Sequence, residues 1–177
     1  LYLDCQQNNL TSLAVNNLTN LQSLNCRVNQ LTSIDISSLN NLRTFFCATN
    51  QITSLNINML NNLRELSCGS NPIIELNISN LTNLTLIEFN STQITSIDLN
   101  PFINLQSFSC ANNSITNLDL SNLSQLQTLS CYYTQISSLD ISHLSLLNFI
   151  NFGNEELISV NMKNGNNETP NFFPSPN

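Results

Sequence analysis

Apolar residues recur along this chain at a fixed spacing of 21 residues, far longer than the period of a single helix or strand. One column runs Leu21, Leu42, Leu63, Leu84, Leu105, Leu126 and Leu147. A second runs Leu10, Leu31, Ile52, Ile73, Ile94, Ile115, Ile136 and Leu157, and a third follows it by three residues, from Leu13 and Ile34 to Val160. Each unit reads L-x-x-L-x-C-x-x-N-x-L-x-x-L-x-L/I-x-x-L-x-x, intact in Leu21 to Asn41, and eight copies follow one another without insertion. A unit this short cannot bury its own apolar face, so stacked neighbours must share one core. The L-x-C piece alternates, which predicts a strand with Leu24 and Cys26 inward and Asn25 outward. The second half, Leu31-x-x-Ile34-x-Ile36, predicts the opposite wall of the core. Its segments are too short for full helices and should be extended or 3-10.

Two polar-to-soft columns lie in the same frame. Cys5, Cys26, Cys47, Cys68, Cys110 and Cys131 share one inward position, and Phe89 and Phe152 fill its remaining steps. Asn8, Asn29, Asn50, Asn71 and Asn113 follow three residues later. An inward Asn at a turn can satisfy backbone groups that the bending chain would bury unpaired. Thr92, Thr134 and Glu155 replace it in three units, where that ladder should be weaker.

These residues resemble the leucine-rich repeat family, whose signature is L-x-x-L-x-L-x-x-N-x-L, over residues 1 to 162. The 21-residue unit with Cys at its third apolar position is similar to the bacterial internalin type. The resemblance implies an α/β leucine-rich repeat solenoid: right-handed, eight 21-residue coils, a parallel sheet on the concave face, and short extended or 3-10 segments on the convex side. At about 4.8 Å per strand, eight coils would stack to roughly 40 Å. Residues 163–177, with Gly165, Pro170, Pro174 and Pro176, read as a C-terminal loop or linker, or part of a further repeat. Leu1 enters the first unit at its second position, so the natural protein is expected to be longer, with targeting and anchoring segments elsewhere.

Composition narrows the function. Asn supplies 34 of the 177 residues, a bias that would signal low complexity were it not periodic. Charged residues make up 8% and the net charge is −7, with four Lys and Arg in all. A phosphate-tracking surface needs clustered cations, so no nucleic acid partner is expected. No stretch approaches the roughly 18 apolar residues of a membrane span, so no membrane insertion is expected from these residues.

Candidate chemistry is sparse. The cysteines share one phase on successive strands, which suits a column of buried free thiols better than disulfides. No C-x-x-C cluster offers zinc a tetrahedral site. His143 sits in a turn away from the sheet, and Gly69, Gly153 and Gly165 are too scattered for a phosphate loop. Asp35, Asp98, Asp119 and Asp140 share a column but supply one oxygen-bearing side chain per coil, which suits a solvated face better than calcium. The expectation is a non-enzymatic protein with no cofactor and no metal.

Function should then lie on positions the repeat leaves free. The outward strand residues, with their immediate flanks, include Arg27, Arg43, Phe46, Arg64, Glu65, Leu86, Glu88, Tyr132, Tyr133 and Phe149. Arg and aromatic residues are the types that dominate binding hot spots. The expected function is a secreted or cell-surface module, monomeric, that binds a protein partner, or a glycan, through the concave sheet. The rival readings are a structural stalk and the target-selecting domain of a secreted effector.

Overall fold

The computed structural model describes residues 1–162 and Asn171–Phe172. Its strands are β1 (Tyr2–Asp4), β2 (Ser23–Asn25), β3 (Thr44–Phe46), β4 (Glu65–Ser67), β5 (Leu86–Glu88), β6 (Ser107–Ser109), β7 (Thr128–Ser130), β8 (Ser138–Asp140), β9 (Phe149–Asn151), β10 (Ser159–Asn161) and β11 (Asn171–Phe172). Nine of them form one parallel sheet in the order β1-β2-β3-β4-β5-β6-β7-β9-β11, while β8 and β10 pair in parallel on the other side of the solenoid. From β1 to β9 each strand of this sheet meets the next at 21 residues, as Ser23 with Thr44 and Leu24 with Phe45, while β11 meets β9 at 22. Of the expected C-terminal loop or linker, only β11 is described; it pairs with β9, and the rest lies outside the described residues.

Each coil places its apolar columns in one continuous core. In the coil spanning 21–41, Leu21, Leu24, Cys26, Leu31 and Leu39 are completely buried and Ile36 nearly so. Ile34 is half-buried, as are Leu13, Leu55, Leu76 and Ile97 in the same column. The far wall is extended, and the described residues contain no helix. Two successive i to i+3 turns bring the chain back: Leu39 N–H donates to Ile36 O at 3.0 Å, then Leu42 N–H to Leu39 O at 2.9 Å.

The strands are only three residues long, so the cysteine falls one place beyond each strand end. The interstrand ladder nevertheless continues: Cys26 N–H donates to Phe46 O and Cys47 N–H to Ser67 O, both at 2.8 Å. Two residues after each cysteine position the chain turns through the left-handed region at Gln7, Val28, Thr49, Ser70, Ser91, Asn112 and Tyr133, with φ between 51° and 58°. None of these is glycine, and Val28 and Thr49 are β-branched, the side chains least suited to that conformation. Their N–H groups still bond to the next coil, as Val28 to Ala48 O at 3.0 Å, so stacking holds a backbone shape these residues do not favour.

Candidate functional site

The asparagine column is a buried hydrogen-bond ladder between coils. Asn50 Nδ2 donates to Cys26 O and Cys47 O, both at 3.0 Å, and its Oδ1 accepts from Leu31 N at 2.9 Å. Asn29 bonds in the same way to Cys5 O, Cys26 O and Leu10 N, and Asn71 to Cys47 O, Cys68 O and Ile52 N. Asn113 reaches Phe89 O and Cys110 O and accepts from Thr92. Asn8, in the first described coil, donates only to Cys5 O and Gln6 O. Thr134 is too short to span two coils and bonds to Cys131 O alone with its hydroxyl.

A second ladder escaped the sequence reading. Asn41, Asn62 and Asn83 each donate Nδ2 to a carbonyl of the preceding coil, at Thr19, Asn40 and Asn61, 2.8–2.9 Å away. Its signal was present as Asn20, Asn41, Asn62, Asn83 and Asn104, at a position the repeat motif treats as free.

All six cysteines are free, with Cys26, Cys47, Cys68, Cys110 and Cys131 buried and Cys5 half-buried. Burial pushes the thiols of Cys26, Cys68 and Cys131 up to about 12, and those of Cys47 and Cys110 well above the usual range. Such thiols are neutral and weakly nucleophilic at physiological pH.

The Asp column serves the turns. Asp35 accepts from both the hydroxyl and the backbone N–H of Ser37, and Asp119 and Asp140 accept from the backbone of Ser121 and Ser142. Hydrogen bonds from these serines hold the three carboxyls below the ordinary range. A ring nitrogen of His143 lies 2.9 Å from Leu120 O. Among the described residues, no three His, Cys, Asp or Glu side chains gather as a metal would require.

On the sheet's outer face the expected binding residues fall into three groups. Arg27, Phe46 and Glu88 form one, although they belong to three coils. The Arg27 guanidinium carbon lies 4.1 Å from the Phe46 ring centroid, and Arg27 reaches Glu88 Oε2 at 3.8 Å. Glu88 also accepts from Ser67 Oγ at 2.9 Å and Asn90 Nδ2 at 3.1 Å, and Asn90 Oδ1 accepts from Ser109 Oγ at 2.6 Å. Ser67 is completely covered by this group. The sequence placed Phe46 and Glu88 outward but carried no sign that Arg27 would lie across them.

Arg43 and Arg64 form the second group, adjacent and exposed on the flank where the chain enters β3 and β4. Arg64 N–H donates to Arg43 O at 2.8 Å, so the two backbones are one rung apart. The only ion pair among the described residues is that of Arg27, so neither has an acidic partner there. Glu65, half-buried beside them, accepts from Thr44 Oγ1 at 3.4 Å instead.

Tyr132 and Tyr133 form the third, their rings edge to face at 5.3 Å and 71°. Tyr133 is 55% exposed and Tyr132 half-buried, with Phe149 half-buried on the next strand. Leu86 is half-buried on β5, between the arginine and tyrosine groups. These groups are thus distributed along one face rather than converging on a catalytic centre.

A family model described as leucine-rich repeats in two copies matches residues 19–59. The chain is similar to the functional domain of InlJ from Listeria monocytogenes, which includes a cysteine ladder. Identity is 30% over 90% of this chain and 43% of that one, with a TM-score of 0.73. It is similar also to internalin C2 of L. monocytogenes, at 27% identity over 97% and 78% of the two chains and a TM-score of 0.77. A Leptospira interrogans leucine-rich repeat protein aligns at 26% identity over 90% and 48%, with a TM-score of 0.80. The chain spans less than half the length of the InlJ and Leptospira structures. No curated protein sequence matches it.

Proposed function

The chain is a leucine-rich repeat protein of the cysteine-ladder type, and from that premise we propose that it is a non-enzymatic binding module of a secreted or cell-surface bacterial protein. Its partner is a protein, engaged through the concave sheet, and the role is adhesion or host interaction. The observation that carries this reading is the Arg43–Arg64 pair. In a chain with net charge −7 and four cations, two arginines stand side by side on the sheet's flank without an ion pair among the described residues. Holding like charges together costs energy that a carboxylate on a partner would offset. The tyrosine pair and Phe149 supply rigid apolar area at the other end of the same face.

The scaffold supports binding because the asparagine ladder ties the coils together just past the strand ends, so little is lost in ordering when a partner docks. One observation favours a stalk instead: Arg27, Phe46, Ser67 and Glu88 already satisfy one another at the centre of the face.

The test is a binding screen against extracellular host proteins, with Arg43→Ala/Arg64→Ala/Tyr132→Ala/Tyr133→Ala beside the wild type. Asp98→Asn/Asp119→Asn serves as the convex control, because an amide oxygen can still accept the turn hydrogen bonds seen at both sites. A partner lost only by the first variant, with its circular dichroism intact, establishes the concave module. A partner that the convex control loses, or no partner for the folded wild type, favours the stalk.

A further inference from the structure

Between the fourth and fifth coils two columns of the repeat change together. Two departures from the consensus, Phe89 in place of Cys and Thr92 in place of Asn, fall beside Gly69 and Pro72 at free positions of the preceding coil. A shallow, open groove of about 310 Å³ lies beside them, lined by Ser70, Asn71, Pro72, Ser91, Thr92 and Gln93. It sits past the strand ends, on the rim, and does not include the concave residues discussed above.

The groove has a traceable cause. In the first coils the ladder asparagine donates its own N–H to the following coil, as Asn29 to Thr49 O at 3.1 Å and Asn50 to Ser70 O at 3.3 Å. That bond is not repeated between Asn71 and Ser91. Where the next residue is Gln it donates backwards, as Gln51 to Leu31 O and Gln93 to Ile73 O, both 2.8 Å, but Pro72 has no N–H with which to reach Ile52 O. Ile52 N–H finds Asn71 Oδ1 in the next coil, whereas Ile73 N–H turns to its own neighbour Asn71 O, because Thr92 cannot span the gap. Two stitches are therefore missing between the fourth and fifth coils and one, at Pro72, between the third and fourth.

The lining chemistry selects a ligand class. It is made of hydroxyls, carboxamides and one proline ring, with no charged side chain. Ser91 Oγ accepts from Asn112 Nδ2 at 3.0 Å, which leaves its own proton to donate. Thr92 Oγ1 donates to Asn113 Oδ1 at 2.8 Å and accepts from Ile94 N–H at 3.4 Å, which leaves it one lone pair. The side chains of Ser70 and Gln93 make no hydrogen bond among the described residues. A donor, an acceptor and an adaptable amide lie close together, as vicinal hydroxyls require. An anion would find no cation in this lining, and an apolar guest would bury these groups unpaired. The geometry points to a binding site for a neutral sugar residue at this rim, its polar edge on Ser91, Thr92 and Gln93 and its C–H face on Pro72. The site is independent of the concave reading.

Methyl glycosides of glucose, galactose, mannose and N-acetylglucosamine are titrated into the whole chain while backbone amide shifts are followed. At least one should move amides of 69–74 and 90–94, with half-saturation in the millimolar range, about what a ligand of a dozen atoms reaches. The variant Thr92→Asn/Pro72→Gln restores the consensus stitches and fills the groove, so it should melt no lower than wild type while losing those shifts. Gln93→Ala should weaken binding at least several-fold. Arg43→Ala/Arg64→Ala should leave it unchanged. Absence of shifts at the rim with all four probes, shifts centred elsewhere, or undiminished binding by the filled variant would each overturn the proposal, as would a preference for N-acetylneuraminate over the neutral sugars.

Discussion

Five thiols are locked in the core at Cys26, Cys47, Cys68, Cys110 and Cys131, and burial makes their ionisation in the folded state costly. For Cys26, Cys68 and Cys131 the rise is from the ordinary 9.0 to about 12. The perturbation that exposes this is alkali. Below pH 8 the thiols are neutral in both states and contribute nothing to the pH dependence. Above pH 9 the unfolded chain ionises them while the folded chain does not, so stability falls as pH rises towards 12. At pH 10 each thiol costs between about 1 and 2 kcal/mol, so the three together cost about 4 kcal/mol, and Cys47 and Cys110 add to that in the same direction. A domain of this size has about 5–15 kcal/mol in total, so a large share of it is lost. The assay is urea unfolding followed by circular dichroism at pH 7.5, 9 and 10, with a phosphine reductant to exclude oxidation. Cys47→Ala/Cys68→Ala lowers stability throughout by leaving cavities, but it should also flatten the pH slope by about two protons. Stability constant within about 1 kcal/mol from pH 7.5 to 10 would refute the buried ladder, as would an unchanged slope in the variant.

Further outcomes follow from the same geometry. Asn50→Ala removes three buried hydrogen bonds and strands Leu31 N–H, and should cost about 2–4 kcal/mol in urea unfolding. Val28→Asn keeps an exposed position but suits φ 54° better, and should stabilise by about 1 kcal/mol, read as a higher melting temperature. A polar disulfide reagent should label Cys5 promptly in the native state and the other five only in denaturant. Arg27→Ala should destabilise by no more than about 1 kcal/mol, because its ion pair and ring contact are both partly exposed, and should uncover Ser67.

Much of this molecule was written in its period. With one apolar set repeated every 21 residues, a single stacking register buries Leu21, Leu24, Leu31 and their equivalents, and a one-residue slip would turn every coil inside out. Strand order, the parallel sheet and the inward phase of the cysteines follow from that constraint, as does the outward placement of Arg43, Arg64 and Tyr133. The period also encoded the second asparagine ladder, although its partners became visible only once the carbonyls of the preceding coil were placed.

Tertiary structure alone decided how unlike residues meet across coils. That Arg27 lies on Phe46 and reaches Glu88 depends on the length of two side chains and the separation of three strands, quantities no column of letters contains. The rim groove is of the same kind. Pro72 and Thr92 read singly as tolerable substitutions, and only the assembled coils place the stitches that each one loses beside the same groove. Burial is a property of each position and repeats with it, whereas a contact is a property of pairs, set by distances that only the assembled coils fix.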